Sequence, residues 1–311
     1  MNARRKILLL TGGRGFIGRA ALHEIVKTQY FSEIHAVRSA SPGALPPFNS
    51  VIWHSTNLLE SGRGEDLVQA IKPTHCLHGS WETSHGAFWT AAVNHAWVQA
   101  STALAEAFGR MKGVRFLSLG SVAEYDWSTH RMIETITPET PQTLYGESKL
   151  RFHQNLMGLA TRFSFSAATG RVFFVYGPYE NPQKLIATAC RAVVDQKKSA
   201  FGSLGLWRDY LHVSDLGKAI SALLMSDLSG PVNLASGEPV RQSRLIETIG
   251  RISGAASYLE IGAREDASVD TPILFADTAR IRSTGWYPKL QHEEGLAATL
   301  DWWRERRRFA A

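Results

Sequence analysis

Short apolar runs alternate with longer stretches of mixed apolar and polar residues over about the first 175 residues. This alternation predicts strand–helix units and a parallel sheet. The predicted strands are residues 6–10, 34–37, 51–54, 75–78, 115–119 and 165–172.

One long stretch between the fourth and fifth predicted strands has the spacing of an amphipathic helix. Its apolar residues recur every three or four positions, and this period predicts a helix over 88–108. Gly109 stands where a helix commonly ends. Beyond Gly177 the regular alternation weakens and shorter elements follow, which predicts a smaller unit in the C-terminal part of the chain.

Composition restricts the class of protein. The 311 residues are 44% hydrophobic and 20% charged, values typical of a folded globular chain. No apolar run approaches the roughly 20 residues of a membrane span, and the apolar run behind the basic N-terminus is too short for an export signal. Cys76 and Cys190 are too far apart in the sequence to suggest a disulfide framework. We therefore expect a cytoplasmic enzyme with no membrane partner.

The net charge of +6 is spread along the chain. Its one dense basic cluster, residues 304–308, is interpreted as the solvated end of a helix, where cations suit the helix dipole. No zinc finger or RNA-binding signature is present. We expect no nucleic-acid partner, and an anionic small molecule would need only a few placed arginines.

A glycine-rich segment directly follows the first predicted strand. Gly12, Gly15 and Gly18 give the pattern G-x-x-G-x-x-G, and a helical pattern over 19–29 comes next. A dinucleotide site needs this arrangement, because the chain must turn tightly, approach a pyrophosphate and pack a helix closely on the sheet. The helix N-terminus then offers unpaired N–H groups to the negative charge. The segment therefore predicts dinucleotide binding.

The residue that selects between NAD and NADP is expected about 20 positions after the last glycine. That position is Arg38, and no carboxylate stands at this strand end to hold the ribose hydroxyls of NAD. An arginine suits the doubly charged 2′-phosphate of NADP, and Arg14 could approach the same group. The alternative is that Arg38 is a solvated strand end. We favour NADP and keep NAD open.

A candidate catalytic group lies further along the chain. Tyr145 and Lys149 are four positions apart, on one face of a predicted helix. A nearby ammonium favours the phenolate and lowers the pKa of a tyrosine, so the pair could exchange a proton with a substrate oxygen. Ser121 ends the fifth predicted strand, where an open parallel sheet binds its ligands, and could bond the same oxygen. The alternative for Ser121 is a helix cap or a turn residue.

Together these residues resemble the extended short-chain dehydrogenase/reductase family, the group of NAD(P)-dependent nucleotide-sugar epimerases, dehydratases and reductases. The resemblance covers nearly the whole chain. It is also carried by Asn94 and by segments 57–58, 78–81, 171–178, 208–215, 233–237 and 285–288.

The resemblance implies an α/β fold, a Rossmann-type doubly wound parallel sheet with a smaller C-terminal substrate-binding domain. We expect residues 1–175 to form the NAD(P)-binding domain, completed by parts of 207–236. Residues 176–311 are expected to form mainly the substrate-binding domain. The family commonly pairs two subunits through the 88–108 helix and the helix of Tyr145, so we also expect a homodimer.

The resemblance also implies roles for single residues. Ser121, Tyr145 and Lys149 are the implied catalytic triad. The cofactor-binding candidates are Gly12, Arg14, Gly15, Phe16, Ile17, Gly18, Arg38, Asn57, Leu58, Leu77, Gly79 and Lys149. Asn57 and Leu58 would flank the adenine, and Lys149 would hold the nicotinamide ribose. The substrate-binding candidates are Trp81, Asn94 and Arg208, the last of which would contact the nucleotide diphosphate.

Departures from the family pattern narrow the chemistry. Sugar 4,6-dehydratases of this family carry an Asp-Glu pair directly after the catalytic hydroxyl residue, where this chain has Val122 and Ala123. Neither moves a proton, which argues against dehydration, and Glu124 is expected to point elsewhere. Phe174 replaces an asparagine that contacts the substrate phosphate in many members. Trp81, in an aromatic segment, could stack on a sugar ring or pack in the core.

Other chemistries are weaker interpretations. His75, His78 and His85 lie near Cys76, but the first two differ by an odd offset on a predicted strand and so face opposite sides of it. We therefore expect no metal site. Ser121 lacks the G-x-S-x-G elbow of a hydrolase nucleophile.

The hypothesis from the sequence is NADP-dependent reduction of a nucleotide-linked 4-keto-6-deoxy sugar, in which Tyr145 gives the proton and Ser121 orients the keto oxygen. The first alternative is a nucleotide-sugar 4-epimerase with tightly bound NAD. The second is a non-catalytic dinucleotide sensor, which could dispense with Tyr145 and Lys149.

Overall fold

The computed structural model describes residues 5–38, 48–84, 86–265 and 271–310, without the side chains of residues 308–310. His85, one of the residues weighed as a metal ligand, lies outside the described residues. Within these ranges, none of the helices has both the length and the apolar character needed to pass through a bilayer.

The described strands are β1 (Ile7–Thr11), β2 (Glu33–Arg38), β3 (Val51–Ser55), β4 (His75–His78), β5 (Arg115–Ser121), β6 (Arg131–Met132), β7 (Ser166–Val172), β8 (Phe174–Tyr176), β9 (Ser199–Phe201), β10 (Trp207–His212), β11 (Gly230–Leu234), β12 (Pro239–Arg241), β13 (Leu259–Ile261) and β14 (Ile273–Ala276). The described helices are α1 (Phe16–Thr28), α2 (Arg63–Ile71), α3 (Val93–Arg110), α4 (Leu144–Phe163), α5 (Leu185–Asp195), α6 (Val213–Leu224), α7 (Gln242–Ser253), α8 (Ala279–Arg282) and α9 (His292–Ala310).

The largest sheet has 7 parallel strands in the order β11-β7-β5-β4-β1-β2-β3. The chain starts near the middle, builds outward to β3 and then builds in the other direction from β4, which is the doubly wound order. The predicted Rossmann-type α/β fold is thereby confirmed. Each of the six predicted strands ends within two residues of an observed strand end. The edge strand β11 falls inside the 207–236 segment.

Helices cover both faces of this sheet. Leu8 on β1 packs in a core with Leu22 of α1 and Ile220 of α6. Leu9, the next residue of β1, packs on the opposite face with Leu104 of α3 and Leu156 of α4. Because both faces are buried, the central strands are almost continuously apolar, and this is why the sequence pattern identifies them.

The ends of α3 differ from the predicted 88–108 helix. The helix begins five residues later, because the side-chain amide of Asn94 donates to the carbonyl oxygen of Phe88 at 2.8 Å and fixes a turn there. It also continues through Gly109. A Cβ at Gly109 would lie 2.7 Å from the ring of Phe163, so this glycine permits close packing of α3 on α4 and does not end the helix.

A second sheet has the order β12-β10-β14-β6, with β8 paired to β10. It combines C-terminal strands with β6, which comes from the segment between β5 and α4. Its β8 begins two residues after β7 ends, so this sheet continues from the carboxyl edge of the large sheet. A third core, which includes Ile186, Ile246 and Leu300, joins α5, α7 and α9. The carboxyl ends of β1, β4 and β5 are neighbours in the large sheet and carry the candidate site.

Candidate active site

The glycine turn after β1 is packed too tightly for side chains. Gly12 has φ of 75°, and a Cβ there would lie 2.9 Å from the carbonyl oxygen of Gly79. A Cβ at Gly18 would lie 2.1 Å from the carbonyl oxygen of Gly12. Gly15 precedes α1 without a side-chain cap, and the first turn of α1 has no acidic residue. The N–H groups of this turn are therefore placed to receive an anion, as a dinucleotide pyrophosphate requires.

A buried hydrogen-bond network, which sequence reasoning missed, supports this turn. The Thr11 hydroxyl accepts the backbone N–H groups of Gly79 (3.1 Å) and Ser80 (3.2 Å). The two ring nitrogens of His78 lie 2.8 Å from the hydroxyls of Thr11 and Ser101. Burial lowers the pKa of His78 to about 3, so the ring is neutral and acts as a structural bridge between β1, β4 and α3.

Three arginines lie at or near the glycine turn. Arg38 ends β2, and the N–H of Gly13 in the turn donates to the carbonyl oxygen of the preceding Val37 at 3.2 Å. Arg14 lies in the turn and is half-buried. Arg19, on the first turn of α1, stacks its guanidinium 4.0 Å from the ring centroid of Tyr179. Burial and the charge of Arg14 lower the pKa of Arg19. The turn therefore carries cationic groups that suit phosphates.

The remaining cofactor-binding candidates differ in how far their side chains are buried. Leu77 is buried in the core on the α1 side, and Ile17 packs at its margin. Leu58 is also buried, whereas Asn57 is exposed and its side-chain oxygen accepts the N–H of Leu59 at 3.1 Å. Phe16 opens α1 and is half-buried.

The structure brings Ser121, Tyr145 and Lys149 together. Ser121 ends β5 and also caps a short 3-10 helix, since its hydroxyl accepts the N–H of Ala123 at 3.2 Å. The Thr143 hydroxyl caps α4 by accepting the N–H of Gly146 at 3.1 Å. This cap starts α4 so that Tyr145 and Lys149 lie on its first two turns, with the Ser121 hydroxyl close enough to the phenol of Tyr145 to lower its pKa. The proposed catalytic role and the cap role of Ser121 are thus compatible.

Tyr145 is not a phenolate in this arrangement. Burial raises its pKa above the ordinary value, while the hydrogen bond with Ser121 lowers it and the charge of Glu124 raises it. The sequence predicts that the Lys149 ammonium lowers the pKa of Tyr145. In the structure, Lys149 Nζ lies 5.8 Å from the Tyr145 ring centroid, and burial has the largest effect on this pKa. The phenol is therefore protonated at neutral pH and holds the proton that a general acid would donate.

Lys149 is buried and held by two contacts. Its Nζ donates to the carbonyl oxygen of Leu119 at 2.9 Å and lies 3.9 Å from the ring centroid of Trp81. Burial lowers the pKa of Lys149 to about 7, although the negative charge of Glu124 opposes the shift.

Aromatic side chains enclose the phenol. Phe88 and Trp89 meet the Tyr145 ring edge-on, at centroid distances of 4.9 and 5.7 Å. The N–H of Tyr145 donates to the carbonyl oxygen of Trp89 at 3.1 Å. The Trp127 Nε1–H donates to the carbonyl oxygen of Val122 at 2.9 Å. These contacts exclude water from the side of the phenol that faces the protein.

The two residues after Ser121 are apolar and buried, and the carboxylate of the next residue is buried too. Val122 and Ala123 lie in the protein interior. Glu124 is fully buried and accepts the N–H of Ser121 at 2.7 Å and the Nε of Arg171 at 2.8 Å. Glu124 is therefore paired with Arg171 and the backbone of Ser121, close enough to Tyr145 and Lys149 for its negative charge to affect the pKa of both.

Of the substrate candidates, Trp81 and Asn94 contact each other. The Trp81 Nε1–H donates to the Asn94 side-chain oxygen at 2.8 Å, and Asn94 is fully buried. Arg208 lies in β10, is buried, and has its guanidinium 5.7 Å from the Phe174 ring centroid. The roles of all three in substrate binding stay predictions.

Sequence reasoning missed Glu180 and Lys184, an acidic and a basic residue that lie after β8. Glu180 is buried and, within the described part of the chain, its Oε2 has no hydrogen-bond partner. Burial raises the pKa of Glu180 to about 8, while Lys184 lies 5.3 Å from the Phe88 ring centroid beside Tyr145. The only sequence signal was the i, i+4 spacing of opposite charges after the end of a strand.

Within the described ranges, no group of three or more histidine, cysteine or acidic residues could hold a metal ion. His75 contacts Thr74 and the ring of Phe31, whereas His78 contacts Thr11 and Ser101.

The model of the NAD dependent epimerase/dehydratase family matches residues 8–235. The chain is similar to the dTDP-glucose 4,6-dehydratase of Streptomyces niveus, with 25% identity in an alignment that covers 96% of this chain and 93% of that protein. It is also 25% identical to the UDP-glucose 4-epimerase of Corynebacterium glutamicum, in an alignment that covers 95% of this chain and 94% of the relative.

The fold has a solved counterpart. The crystal structure of the UDP-glucose 4-epimerase of Thermus thermophilus in complex with NAD aligns with a TM-score of 0.84 at 21% identity, covering 96% of this chain and 99% of that chain. The likeness at this identity shows a shared Rossmann-type fold.

Proposed function

Because the chain belongs to the NAD-dependent epimerase/dehydratase family, of the extended short-chain dehydrogenase/reductase type, we propose that it is an NADP-dependent reductase of a nucleotide-linked 4-keto-6-deoxy sugar. The predicted family is confirmed by the family model, and the choice of reaction is our proposal. The residues around the glycine turn fit a dinucleotide, because the turn excludes side chains and leaves the N-terminus of α1 uncapped.

In this proposal the residues of the chain control the proton at the keto oxygen. When bound, the dinucleotide supplies the hydride for carbon 4 of the sugar. Tyr145 donates its phenolic proton to the keto oxygen, and Ser121 hydrogen-bonds that oxygen and orients it. Lys149 stabilises the phenolate with its positive charge. The aromatic side chains around Tyr145 keep water from competing for the proton.

The surroundings of Ser121 support reduction over dehydration. Elimination of water from a sugar needs an acid and a base beside the reacting carbons. Val122 and Ala123 cannot exchange protons, and the carboxylate of Glu124 already accepts hydrogen bonds from Arg171 and from the N–H of Ser121. The relatives that are dehydratases therefore share the family of this chain but not, in our proposal, its reaction.

NADP is the proposed cofactor, with NAD as the alternative. Arg38 at the end of β2 and Arg14 in the turn supply positive charge where a carboxylate would favour NAD. The solved relative in complex with NAD supports the alternative.

The second candidate function is a nucleotide-sugar 4-epimerase with tightly bound NAD. The similarity to the Corynebacterium epimerase over 95% of the chain favours it. Its reaction would use the same triad, with Tyr145 taking the proton of the sugar hydroxyl first and returning it later. We keep reduction first because of Arg38.

The substrate contacts, assembly and compartment are proposed on the family pattern. Trp81, Asn94 and Arg208 are the proposed substrate-binding residues. A homodimer through α3 and α4 is the proposed assembly, and the cytoplasm is the proposed compartment.

A panel assay tests the proposed reaction. Purified protein is mixed with NADPH and a set of nucleotide-linked 4-keto-6-deoxy sugars, and NADPH is followed by its absorbance. We expect NADPH to be consumed with at least one sugar, while protein denatured after purification releases little cofactor. Tightly bound NAD in the denatured sample, with interconversion of sugar 4-epimers and no NADPH consumption, would replace the reductase by the epimerase.

A further inference from the structure

Trp81 is fixed by two side chains of the protein, Asn94 and Trp97. Its Nε1–H donates to the side-chain oxygen of Asn94 at 2.8 Å, and its ring stacks on Trp97 with a centroid distance of 6.1 Å and an interplanar angle of 24°. The Asn94 amide donates in turn to the carbonyl oxygens of Phe88 (2.8 Å) and Ala91 (2.9 Å). The orientation of the indole is therefore determined before any ligand binds.

The face of this indole meets the ammonium of Lys149, the cation of the proposed catalytic triad. Lys149 Nζ lies 3.9 Å from the Trp81 ring centroid, well inside the range of about 6 Å in which a cation is attracted by an aromatic face. The same Nζ donates to the carbonyl oxygen of Leu119. Tryptophan gives the strongest such contact among the aromatic residues, and the contact strengthens when the pair is shielded from water.

A buried ammonium needs this kind of support. The lysine side chain is buried, so its charge has lost most of its hydration. The titratable groups that face it are Glu124, which favours its charge, His78, which is neutral, and Tyr145, which is a neutral phenol. Glu124 already forms an ion pair with Arg171, so the indole is a major remaining source of stabilisation.

We propose that Trp81 is a positioning residue for Lys149, whose indole holds the ammonium charged and in place beside Tyr145 through a cation–π contact. This rests on the proposed function, in which Lys149 supplies positive charge to the phenolate. It differs from the stacking of Trp81 on a sugar ring, and the two roles predict different results for the same variants.

The test measures the protonation of Lys149 without substrate or turnover. Protein labelled with ¹⁵N at the lysine Nζ is titrated by NMR, and the Lys149 signal is assigned by its loss in Lys149→Met. In Trp81→Leu, we expect the pKa of Lys149 to fall by about 0.4–1.5 units, which corresponds to the loss of a cation–π contact of about 0.5–2 kcal/mol. Trp81→Phe keeps an aromatic face and should give a smaller shift of the same sign.

The control is Trp207→Leu, which removes a partly exposed indole from β10 and should leave the Lys149 titration unchanged. Because Trp81→Phe is the mildest change, it provides the measurement even if Trp81→Leu does not fold. An unchanged Lys149 titration in a folded Trp81 variant would overturn the proposal. If the substrate KM also rises in that variant, the result would assign Trp81 to the sugar.

The outcome is separable from that of the proposed reaction. The Lys149 titration does not depend on which sugar is reduced, so the panel assay can fail while the shift is still observed. Conversely, if NADPH is consumed but the pKa of Lys149 is unchanged in the Trp81 variants, the proposed reductase activity stands and the proposed role of Trp81 is refuted.

Discussion

Gly18→Ala tests whether the glycine turn is the dinucleotide site. The added Cβ would lie 2.1 Å from the carbonyl oxygen of Gly12, while ordinary contact begins at 3.4 Å. The helix α1 must therefore move back from the turn by about 3.4 − 2.1 = 1.3 Å. The atom with which the new Cβ would clash belongs to the backbone, so a change of side-chain rotamer cannot relieve the clash.

The size of the effect follows from this displacement. Overpacking of this kind costs about 1–3 kcal/mol of stability. If the movement breaks one charge-assisted hydrogen bond to the pyrophosphate, about 1.5–3 kcal/mol of binding energy is lost, which raises the Kd of the dinucleotide about 10- to 100-fold. Calorimetric unfolding measures the first effect, and titration calorimetry with NADP and NAD measures the second.

Gly64→Ala is the matched control. Gly64 is also helical, but a Cβ there would meet the Leu104 side chain at an ordinary 3.4 Å. Removing a glycine from a helix gains at most about 1 kcal/mol, so this variant should bind the dinucleotide like the wild type. If Gly18→Ala bound it within twofold of the wild type, the pyrophosphate would not lie at this helix N-terminus.

Two further predictions concern charge. Arg38→Ala should raise the Kd of NADP about 10- to 100-fold, through the loss of a charge-assisted contact, and change the Kd of NAD by less than about threefold. The control Arg63→Ala, at an exposed arginine, should change neither Kd. Equal losses of affinity for both dinucleotides would show that Arg38 does not select between them. The folded-state pKa of Glu180 is raised from 4.5 to about 8, so the stability of the wild type should fall as pH rises through this window. Glu180→Gln removes this titrating group, so the free energy of unfolding of the variant relative to that of the wild type should grow by about 1.4 kcal/mol per pH unit over that window. The same difference in free energy of unfolding at pH 5 and pH 8 would contradict the burial of this carboxyl.

Much of the fold could be predicted from the sequence because the central strands are buried on both faces. Leu8, Leu9 and Leu10 alternate between two cores, so each is apolar and the run stands out. The strands of the second sheet are different. β6 has two residues and β12 has three. Strands this short are stabilised by the strands with which they pair, and no local pattern of apolar and polar residues identifies them.

The candidate site also has features that the sequence could predict and features that it could not. The glycine turn and the Tyr145–Lys149 pair depend on local spacing, which the sequence displays. The contact of Trp81 with Lys149 joins the loop after β4 to α4, and the Glu124–Arg171 pair joins the short 3-10 helix after β5 to β7. Such contacts depend on how the elements pack. The raised pKa of Tyr145 is also invisible in the sequence, because it follows from burial and not from the nearest charge.

The most direct test of the account is the rate of NADPH oxidation by Tyr145→Phe with the 4-keto sugar that the wild type uses. The variant keeps the aromatic packing against Phe88 and Trp89 and removes only the proton donor. We predict a rate about 10²- to 10⁴-fold lower than that of the wild type, the usual contribution of general acid catalysis, with unchanged NADP affinity. A rate within a few-fold of the wild type would show that the phenol of residue 145 is not the acid.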